Sequence, residues 1–130
     1  MSSSLSDHKE ASLAIDVGAT KVAVGLVARD GQVLARRDIS SKVSSMDELN
    51  SSLVEAISEV SHREGVVLVG AGIGSAGPID KDLGTINPVN ISHWVDFSLV
   101  DFVREVSGIE SVRLIGDAAA LTYAEFLLGA

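Results

Sequence analysis

Residues 13–39, "LAIDVGATKVAVGLVARDGQVLARRDI", decide the fold of this chain. Aliphatic and β-branched residues dominate positions 13–16 and 22–28, a composition that is typical of strands. The tetrapeptide Arg-Asp-Gly-Gln at positions 29–32 predicts a hairpin turn, and a further strand follows at positions 33–39. The stretch therefore predicts a three-stranded β-meander whose first bend carries a small polar insert.

The next two elements follow from the spacing of apolar residues. Ser45 and Glu48 have the spacing of a capping box, and apolar residues then recur at helical intervals until Gly65, which predicts a helix that stops there. The run "VVLVGAGIG" at positions 66–74 is too short for a helix and is rich in glycine at its exit. It predicts a strand that is buried on both faces.

The part of the chain after this strand begins with a long loop. Positions 75–96 carry both prolines and several turn residues, which predicts irregular structure. Ser98 and Asp101 then predict the capped start of a second helix, which stops at Gly108.

A short strand is predicted at positions 112–115, and an alanine-rich third helix runs from Asp117 to Gly129. The resulting order is β-β-β-α-β-α-β-α. This order predicts an α/β fold with a mixed five-stranded sheet and helices on its faces.

Composition and charge limit the partners and the cellular location that we expect. The 130 residues are 46% hydrophobic, which is enough for one packed globular domain. Eighteen acidic against ten basic side chains give a net charge of -8, so we expect neither nucleic acid nor an anionic membrane surface as a partner. The chain has no cysteine, and it shows neither a signal peptide nor an apolar run of about 20 residues. We expect a cytoplasmic protein with a disordered leader at positions 1–11.

The stretch "GIGSAG" at positions 72–77 matches the GxGxxG pattern of dinucleotide-binding folds. That pattern requires a helix to begin at the glycines, so that its N-terminus faces the pyrophosphate. Here the glycines are followed by Pro78 and by a predicted turn at positions 81–84. The match is therefore interpreted as coincidental, and the glycines as positions where another group approaches the backbone closely.

The polar insert of the first bend has two interpretations. Asp16 and Thr20 can simply accept hydrogen bonds from turn amides, as polar turn residues often do. Alternatively, the insert binds phosphate: Gly18 lets backbone amides reach phosphate oxygens, the Thr20 hydroxyl donates to them, and Lys21 adds positive charge. Asp16 would then hold a magnesium ion through water. The spacing of these residues is compatible with both.

Two further residues have alternative roles. Asp117 follows a predicted strand and starts a predicted helix, where it either caps the helix, worth about 1 kcal/mol, or accepts a proton as a general base. The helix N-terminus would keep its carboxylate ionised. Trp94, the only tryptophan, is either a plug over the core or part of a ligand pocket. His62 and His93 have no ligand spacing, so we expect no metal site built on histidines.

Four segments in order, "AIDVGATKVAVGLV", "GIGSAGPID", "NPVNISHW" and "GDAAALTYAEFLLGA", resemble the N-terminal half of the ROK family of sugar kinases and sugar-responsive repressors. The resemblance implies an actin-like (ribonuclease H-like) ATPase fold, with residues 12–130 as the N-terminal lobe of a two-lobed protein. In such a protein the lobes close over ATP, magnesium and a hexose.

The resemblance also assigns roles to individual residues. It implies a phosphate-binding motif at Asp16, Gly18 and Thr20, beside Lys21, with Asp16 towards the magnesium ion. It implies a sugar pocket at Gly77, Asn90, Trp94 and Gly116, and a catalytic base at Asp117.

The chain departs from the family pattern in three respects. Gly116 stands where the family usually has an asparagine that contacts sugar hydroxyls, and Ala76 stands where it usually has a proline. The third departure is the absence of a C-terminal lobe, which in the family carries the adenosine pocket and, where present, the zinc site. We therefore expect a fragment, a split gene product or a truncated form that is inactive alone and that associates with itself or with a second lobe.

The leading hypothesis is the N-terminal lobe of an ATP-dependent kinase, similar to glucokinase or N-acetylmannosamine kinase, that phosphorylates a hexose or N-acetylhexosamine. A first alternative is the non-catalytic sugar-sensing lobe of a ROK-type transcriptional regulator, although the leader is too short for a helix-turn-helix. A second alternative is a pseudokinase-like interaction module, which Gly116 keeps open.

Overall fold

The computed structural model describes residues 9–18, 20–42, 45–75, 78–88, 91 and 94–116. Within them the helices and strands follow in the order β1 (Lys9–Val17), β2 (Lys21–Ala28), β3 (Val33–Ser40), α1 (Met46–Ser61), β4 (Val66–Ser75), β5 (Ile79–Asp80), β6 (Thr85–Ile86), α2 (Leu99–Ser107) and β7 (Val112–Gly116).

Five of the strands form one mixed sheet in the order β3-β2-β1-β4-β7. The first three pair antiparallel as a meander, and β4 and β7 add parallel to β1. Parallel neighbours need a crossover connection, and α1 and α2 supply the two crossovers. The predicted α/β class and the mixed five-stranded sheet are confirmed. The predicted third helix, from Asp117 to Gly129, lies outside the described residues.

The meander forms where it is predicted, but its first strand starts earlier. Gly31, with φ 99°, occupies the predicted hairpin turn, where the Asp30 carboxylate accepts from the Gln32 N–H at 3.0 Å. Strand β1 begins at Lys9, and the Lys9 N–H donates to the Gly65 carbonyl at 2.8 Å. The expectation of a disordered leader at positions 1–11 is therefore wrong for its last three residues, because these residues pair with β4.

Helix α1 has the predicted cap and the predicted apolar face. The Ser45 hydroxyl accepts from the Glu48 N–H at 3.2 Å. The residues at helical spacing are all buried against the sheet: Leu49, Leu53, Ala56, Ile57 and Val60. The helix ends at Ser61, four residues before the predicted stop, and Gly65 serves the turn into β4 instead.

Strand β4 is buried on both faces only in its second half. Residues 70–75 are buried, as predicted. In the first half, Val66 and Leu68 pack against the core, whereas Val67 and Val69 are 40% and 49% exposed. The prediction of a strand covered on both faces is therefore wrong for residues 66–69, where only one face packs against the core.

The predicted loop before α2 contains a small hairpin, β5–β6, that the sequence interpretation did not include. Its turn lies at the predicted tetrapeptide, and the Asp80 carboxylate accepts from the Asp82 and Leu83 N–H groups at 3.0 and 3.1 Å. In the described residues Gly72 and Gly74 belong to β4 and the next element is strand β5, so the helix that the GxGxxG pattern requires is not found there. None of the helices in the described part of the chain is long and apolar enough to cross a membrane.

Candidate functional site

Three parallel strands end at one edge of the sheet, and this edge collects the predicted motifs. Val17 at the end of β1 lies beside Ser75 at the end of β4. Ser75 in turn lies beside Gly116 at the end of β7. The first turn, the exit of the glycine-rich strand and the residue before Asp117 are therefore neighbours, although they are distant in sequence. Ligands of open α/β sheets collect at such carboxyl ends.

Three predicted site residues lie outside the described residues: Gly77, Asn90 and Asp117. Their roles stay predictions. The structure does describe two residues close to them in the chain, Ser75 and Gly116, each of which ends a strand at the same edge.

The turn between β1 and β2 is narrow. The Gly18 N–H donates to the Lys21 carbonyl at 2.9 Å, and the Ser41 N–H donates to the Thr20 carbonyl at 3.1 Å. A Cβ atom at Gly18 would lie 3.3 Å from the Lys21 oxygen, which is tight, so glycine suits this position. Thr20 and Lys21 are exposed. The turn therefore holds its backbone in a compact form and presents its polar side chains outward.

Asp16 lies on the sheet face opposite to the one that α1 covers. It alternates with Ile15 and Val17, which belong to the hydrophobic core. Asp16 is exposed and pairs in register with Ala23, which itself pairs with Asp38 on β3. Two carboxylates thus flank one small residue on a single face, beside the first turn.

Lys21 makes an ion pair on this face that the sequence interpretation missed. Its Nζ lies 3.1 Å from an oxygen of Asp38, which also accepts from Arg36 Nε at 3.0 Å. These two contacts, with Arg36 first and Lys21 second, hold the pKa of the Asp38 carboxyl below its usual value. The Lys21 ammonium, which is predicted to face a phosphate, therefore contacts the Asp38 carboxylate in this structure. Strand alternation in β3 was the one available signal, because it places Asp38 and Arg36 on the same face.

Trp94 is only 1% exposed. Its Nε1–H donates to the Asn50 side-chain oxygen at 2.8 Å, and its ring stacks on Phe97 with centroids 4.5 Å apart. This geometry is that of a plug over the core, which was one of the two interpretations. The single polar atom of the indole is already used by Asn50, so direct contact between Trp94 and a sugar stays a prediction.

Ser75 is a further polar residue of this edge, and the sequence motifs do not predict a role for it. It is 1% exposed and sits in the row formed with Val17 and Gly116. A buried hydroxyl requires hydrogen-bond partners, so the Ser75 side chain is expected to be held in one orientation. The signal in the sequence was a polar residue directly after an apolar and glycine-rich run.

The residues at this edge suit a magnesium-bound phosphate chain better than a metal cage. In the part of the chain that the structure describes, no group of three or more His, Cys, Asp or Glu side chains comes together as a metal site. Magnesium usually keeps several waters and takes one or two carboxylates with phosphate oxygens. An exposed carboxylate at Asp16 beside a compact glycine turn at Gly18 meets that demand.

A separate groove of about 510 Å³ lies between the β5–β6 turn, α2 and β7. Charged side chains make up half of its lining: Lys81, Asp82, Asp101, Arg104 and Arg113. None of the predicted site residues lines it, so we place the candidate site at the carboxyl edge of the sheet.

A meander extended by two parallel strands in the order β3-β2-β1-β4-β7 places the chain in the actin-like ATPase fold class. The sequence profile of the ROK family matches residues 12–130, and the chain belongs to that family.

Relatives in this family include sugar kinases. The chain is 32% identical over 115 residues to the N-acetylmannosamine kinase of Yersinia pestis (strain Pestoides F), which is 88% of this chain and 38% of that relative. The ROK family glucokinase of Streptomyces griseus, in complex with glucose and AMPPNP, matches with a TM-score of 0.72 and 28% identity over 92% of this chain and 37% of its own. The ROK hexokinase of Thermus thermophilus matches with a TM-score of 0.67 and 29% identity over 83% of this chain and 35% of its own.

A ROK family transcriptional regulator shares the fold as well, with a TM-score of 0.71 at 18% identity over 93% of this chain and 31% of its own. The chain spans 38% of the length of the N-acetylmannosamine kinase that it matches. The relatives therefore confirm the family and the fold, and the activity of the whole protein is a matter for proposal.

Proposed function

We propose that this chain is the N-terminal lobe of an ATP-dependent sugar kinase that phosphorylates a hydroxyl of a hexose or N-acetylhexosamine. The main support for this proposal is the row of neighbouring residues Val17, Ser75 and Gly116. These residues end three parallel strands at one edge of the sheet, where three of the predicted motifs meet. Kinase relatives acting on glucose and N-acetylmannosamine support this substrate class. The partners are ATP, the sugar and a second lobe or a second copy, and a cytoplasmic location suits them.

The first turn would hold the phosphates of ATP. Gly18 keeps the turn compact, and the exposed Thr20 hydroxyl can donate to a phosphate oxygen. Lys21 can exchange its contact with Asp38 for a phosphate, because an exposed ion pair is worth only about 0–1 kcal/mol. Asp16 would hold magnesium through water, and the ion supplies charge neutralisation on the phosphoryl oxygens.

Asp117 would act as the general base. Its carboxylate accepts the proton of the sugar hydroxyl while that oxygen attacks the γ-phosphorus and the bond to the leaving ADP oxygen breaks. Gly77, Asn90 and the Trp94 region would orient the sugar, and positioning contributes much of the rate in phosphoryl transfer. Gly116 offers no side chain to the sugar, so hydroxyl contacts at this point would have to come from other residues.

A second candidate is a non-catalytic sugar-sensing lobe of a ROK-type regulator or an interaction module. Gly116 is the observation that favours it, since a polar contact of the usual kind is lost at the end of β7. A ROK family transcriptional regulator shares this fold, so the fold alone does not separate the two candidates.

The test is Asp117→Asn in the full-length protein, measured as phosphoryl transfer to glucose and N-acetylmannosamine. We expect turnover to fall by about 10²- to 10⁴-fold, because asparagine keeps the cap but cannot accept the proton. The melting temperature should hardly change, since asparagine caps helices about as well as aspartate. Asp101→Asn, in the first turn of α2, is the matched control and should leave turnover unchanged. Near-normal turnover in Asp117→Asn would remove Asp117 from the reaction, whereas a wild type that transfers phosphate to neither sugar would favour the non-catalytic candidate.

A further inference from the structure

The loop that carries Trp94 is closed at its base by four hydrogen bonds. We call residues 88–95 the Trp94 loop. On one side of its base, Ile86 and Phe97 exchange backbone hydrogen bonds of 2.9 and 3.0 Å. Directly inside them, Asn87 Nδ2 donates to Asp96 Oδ1 at 2.8 Å, and the Asp96 N–H donates to Asn87 Oδ1 at 2.7 Å. Asn87 and Asp96 thus form a reciprocal pair across the two ends of the loop.

The Asn87–Asp96 pair holds the backbone of Asp96 in a conformation that non-glycine residues disfavour. Asp96 has φ 47°, and among the described residues it is the one non-glycine residue with a positive φ. The left-handed region costs a non-glycine residue roughly 1 kcal/mol, and aspartate and asparagine tolerate it best. Such a conformation persists where surrounding contacts over-determine it. Here those contacts are the two hydrogen bonds to Asn87.

The interior of the loop is packed as well. Ile91 and Trp94 are each 1% exposed, and the Trp94 indole donates to Asn50 of α1. Phe97 extends the packing by stacking on Trp94 and contacting Phe102 of α2. Ile91 and Trp94 are therefore held on the core, and the Asn87–Asp96 pair joins the residues that flank the loop.

Asn87 also connects this loop to the segment that follows β4. Its backbone N–H donates to the Pro78 carbonyl at 3.0 Å. Pro78 directly follows Gly77, and the Trp94 loop contains Asn90. The family resemblance implies that Gly77 and Asn90 belong to the sugar pocket. One residue, Asn87, therefore links both segments, by its backbone on one side and its side chain on the other.

We propose that Asn87 and Asp96 are positioning residues that set the distance between these two segments and thereby the affinity and selectivity for the sugar. This inference rests on the proposed function. The pair does not need to touch the substrate. It fixes the two ends of the Trp94 loop, and Asn90 of this loop is the residue proposed to contact the sugar. It requires one donor and one acceptor across the base, so its effect should follow hydrogen-bond complementarity and not the identity of either residue.

The principal variant is Asn87→Asp in the full-length protein. It keeps the acceptor for the Asp96 N–H but places two carboxylates against each other, so the base of the loop should open. We expect the KM for glucose or N-acetylmannosamine to rise by about tenfold, the size expected when a hydrogen bond to a charged group is lost. The KM for ATP should stay within about twofold, because the phosphate turn belongs to other strands.

The double variant Asn87→Asp with Asp96→Asn reverses the two groups and restores both hydrogen bonds and the net charge. It should recover the sugar KM of the wild type. Asp96→Asn alone keeps an acceptor for Asn87 Nδ2 and serves as the conservative control. Asp96→Gly removes the acceptor but accepts the positive φ, so it tests the pair in a variant whose backbone is not strained.

A second readout is the fluorescence of Trp94, taken in the full-length protein as the difference from a Trp94→Phe variant. In the wild type, titration with glucose or N-acetylmannosamine should change its emission, and in Asn87→Asp the midpoint should move by about the same tenfold. An unchanged sugar KM in Asn87→Asp, with an active wild type, overturns this inference alone. Equal rises in both KM values that the double variant does not recover indicate a purely structural pair and also overturn it. A wild type that neither binds nor phosphorylates any hexose overturns the proposed function and, with it, this inference.

Discussion

At the scale of single residues, the carboxylate of Asp38 lies between two cationic side chains on the sheet face beside the first turn. Asp38 accepts from Arg36 and from Lys21, so one carboxylate compensates two cations that share its face of the sheet. All three side chains are at least 38% exposed, and exposed ion pairs are weak. The arrangement therefore orients Lys21 beside the turn without binding it tightly, which suits a side chain that has to reach a ligand.

Asp38→Asn should make the stability depend less on pH. The pKa of Asp38 is lowered in the folded chain, chiefly by Arg36 and then by Lys21, so its contribution is present above the ordinary pKa of an aspartate. This contribution is lost as the pH falls through the lowered value. We expect the wild type to exceed the variant by about 0.5 kcal/mol near neutral pH, the usual size for exposed pairs, and by nothing in acid. Urea unfolding at several pH values measures both quantities.

The control for this experiment is Asp82→Asn, which is exposed in the turn after β5. It removes the same charge without touching the network of Lys21, Arg36 and Asp38. A stability difference for Asp38→Asn that stays constant from neutral pH into acid would show that the ion pairs contribute nothing.

At the scale of elements, the two helices show that one sequence signature can have two outcomes. Ser45 and Ser98 each precede a helix and have an acidic residue three positions later. Ser45 adopts an extended backbone, φ -148° and ψ 158°, and its hydroxyl accepts from the Glu48 N–H. Ser98 has φ -77° and ψ 67°, and its side chain makes no capping bond. The chain enters α2 directly from Phe97, which is held against Ile86, and this tertiary contact sets the backbone before Ser98.

The two serines give a matched pair of variants. Ser45→Ala should lower the free energy of unfolding by about 1 kcal/mol, because an N–H in the first turn of α1 loses its partner. Ser98→Ala should change it by only about 0.5 kcal/mol or less, as for other surface substitutions. Denaturant unfolding of both variants provides the comparison, and equal losses would mean that the capping bond of Ser45 has no energetic weight.

At the scale of the whole molecule, the first helix is joined to Trp94 by a hydrogen bond. Asn50 on α1 accepts from the Trp94 indole, across a separation of 44 residues. Around it, Trp94, Ile91 and Leu53 belong to the same buried cluster as the strands of the sheet. The loop near the candidate site is therefore supported by the core and by the face of α1.

Asn50→Ala should destabilise the protein by about 1–3 kcal/mol, because the buried indole N–H would lose its acceptor. Chemical denaturation followed by circular dichroism measures the loss, and the emission of Trp94 should shift in the native state. Ser51→Ala, at the exposed neighbouring position of α1, is the control and should be nearly neutral. A loss in Asn50→Ala no larger than that of the control would contradict a structural role for this hydrogen bond.

The sequence by itself determined the features that depend on neighbours along the chain. The turn at Gly31, the cap at Ser45 and the helical spacing of Leu49 and Leu53 are local, because turn chemistry and periodicity act within a few residues. The order of these elements was enough to predict the mixed sheet, and the motifs at its edge were enough to predict the family. The start of β1 was missed because a polar residue such as Lys9 gives no strand signal until β4 lies beside it.

Only the tertiary structure decided which side chains meet across elements. The contacts of Lys21 with Asp38, of Trp94 with Asn50 and of Asn87 with Asp96 join residues whose spacing carries no periodic signal. The exposure of Val67 and Val69 was equally hidden, since an apolar run looks the same whether one or both faces of the strand are covered. In each case the physical reason is the same: hydrogen bonds and burial depend on distances that exist only after the sheet, the helices and the loop have packed together.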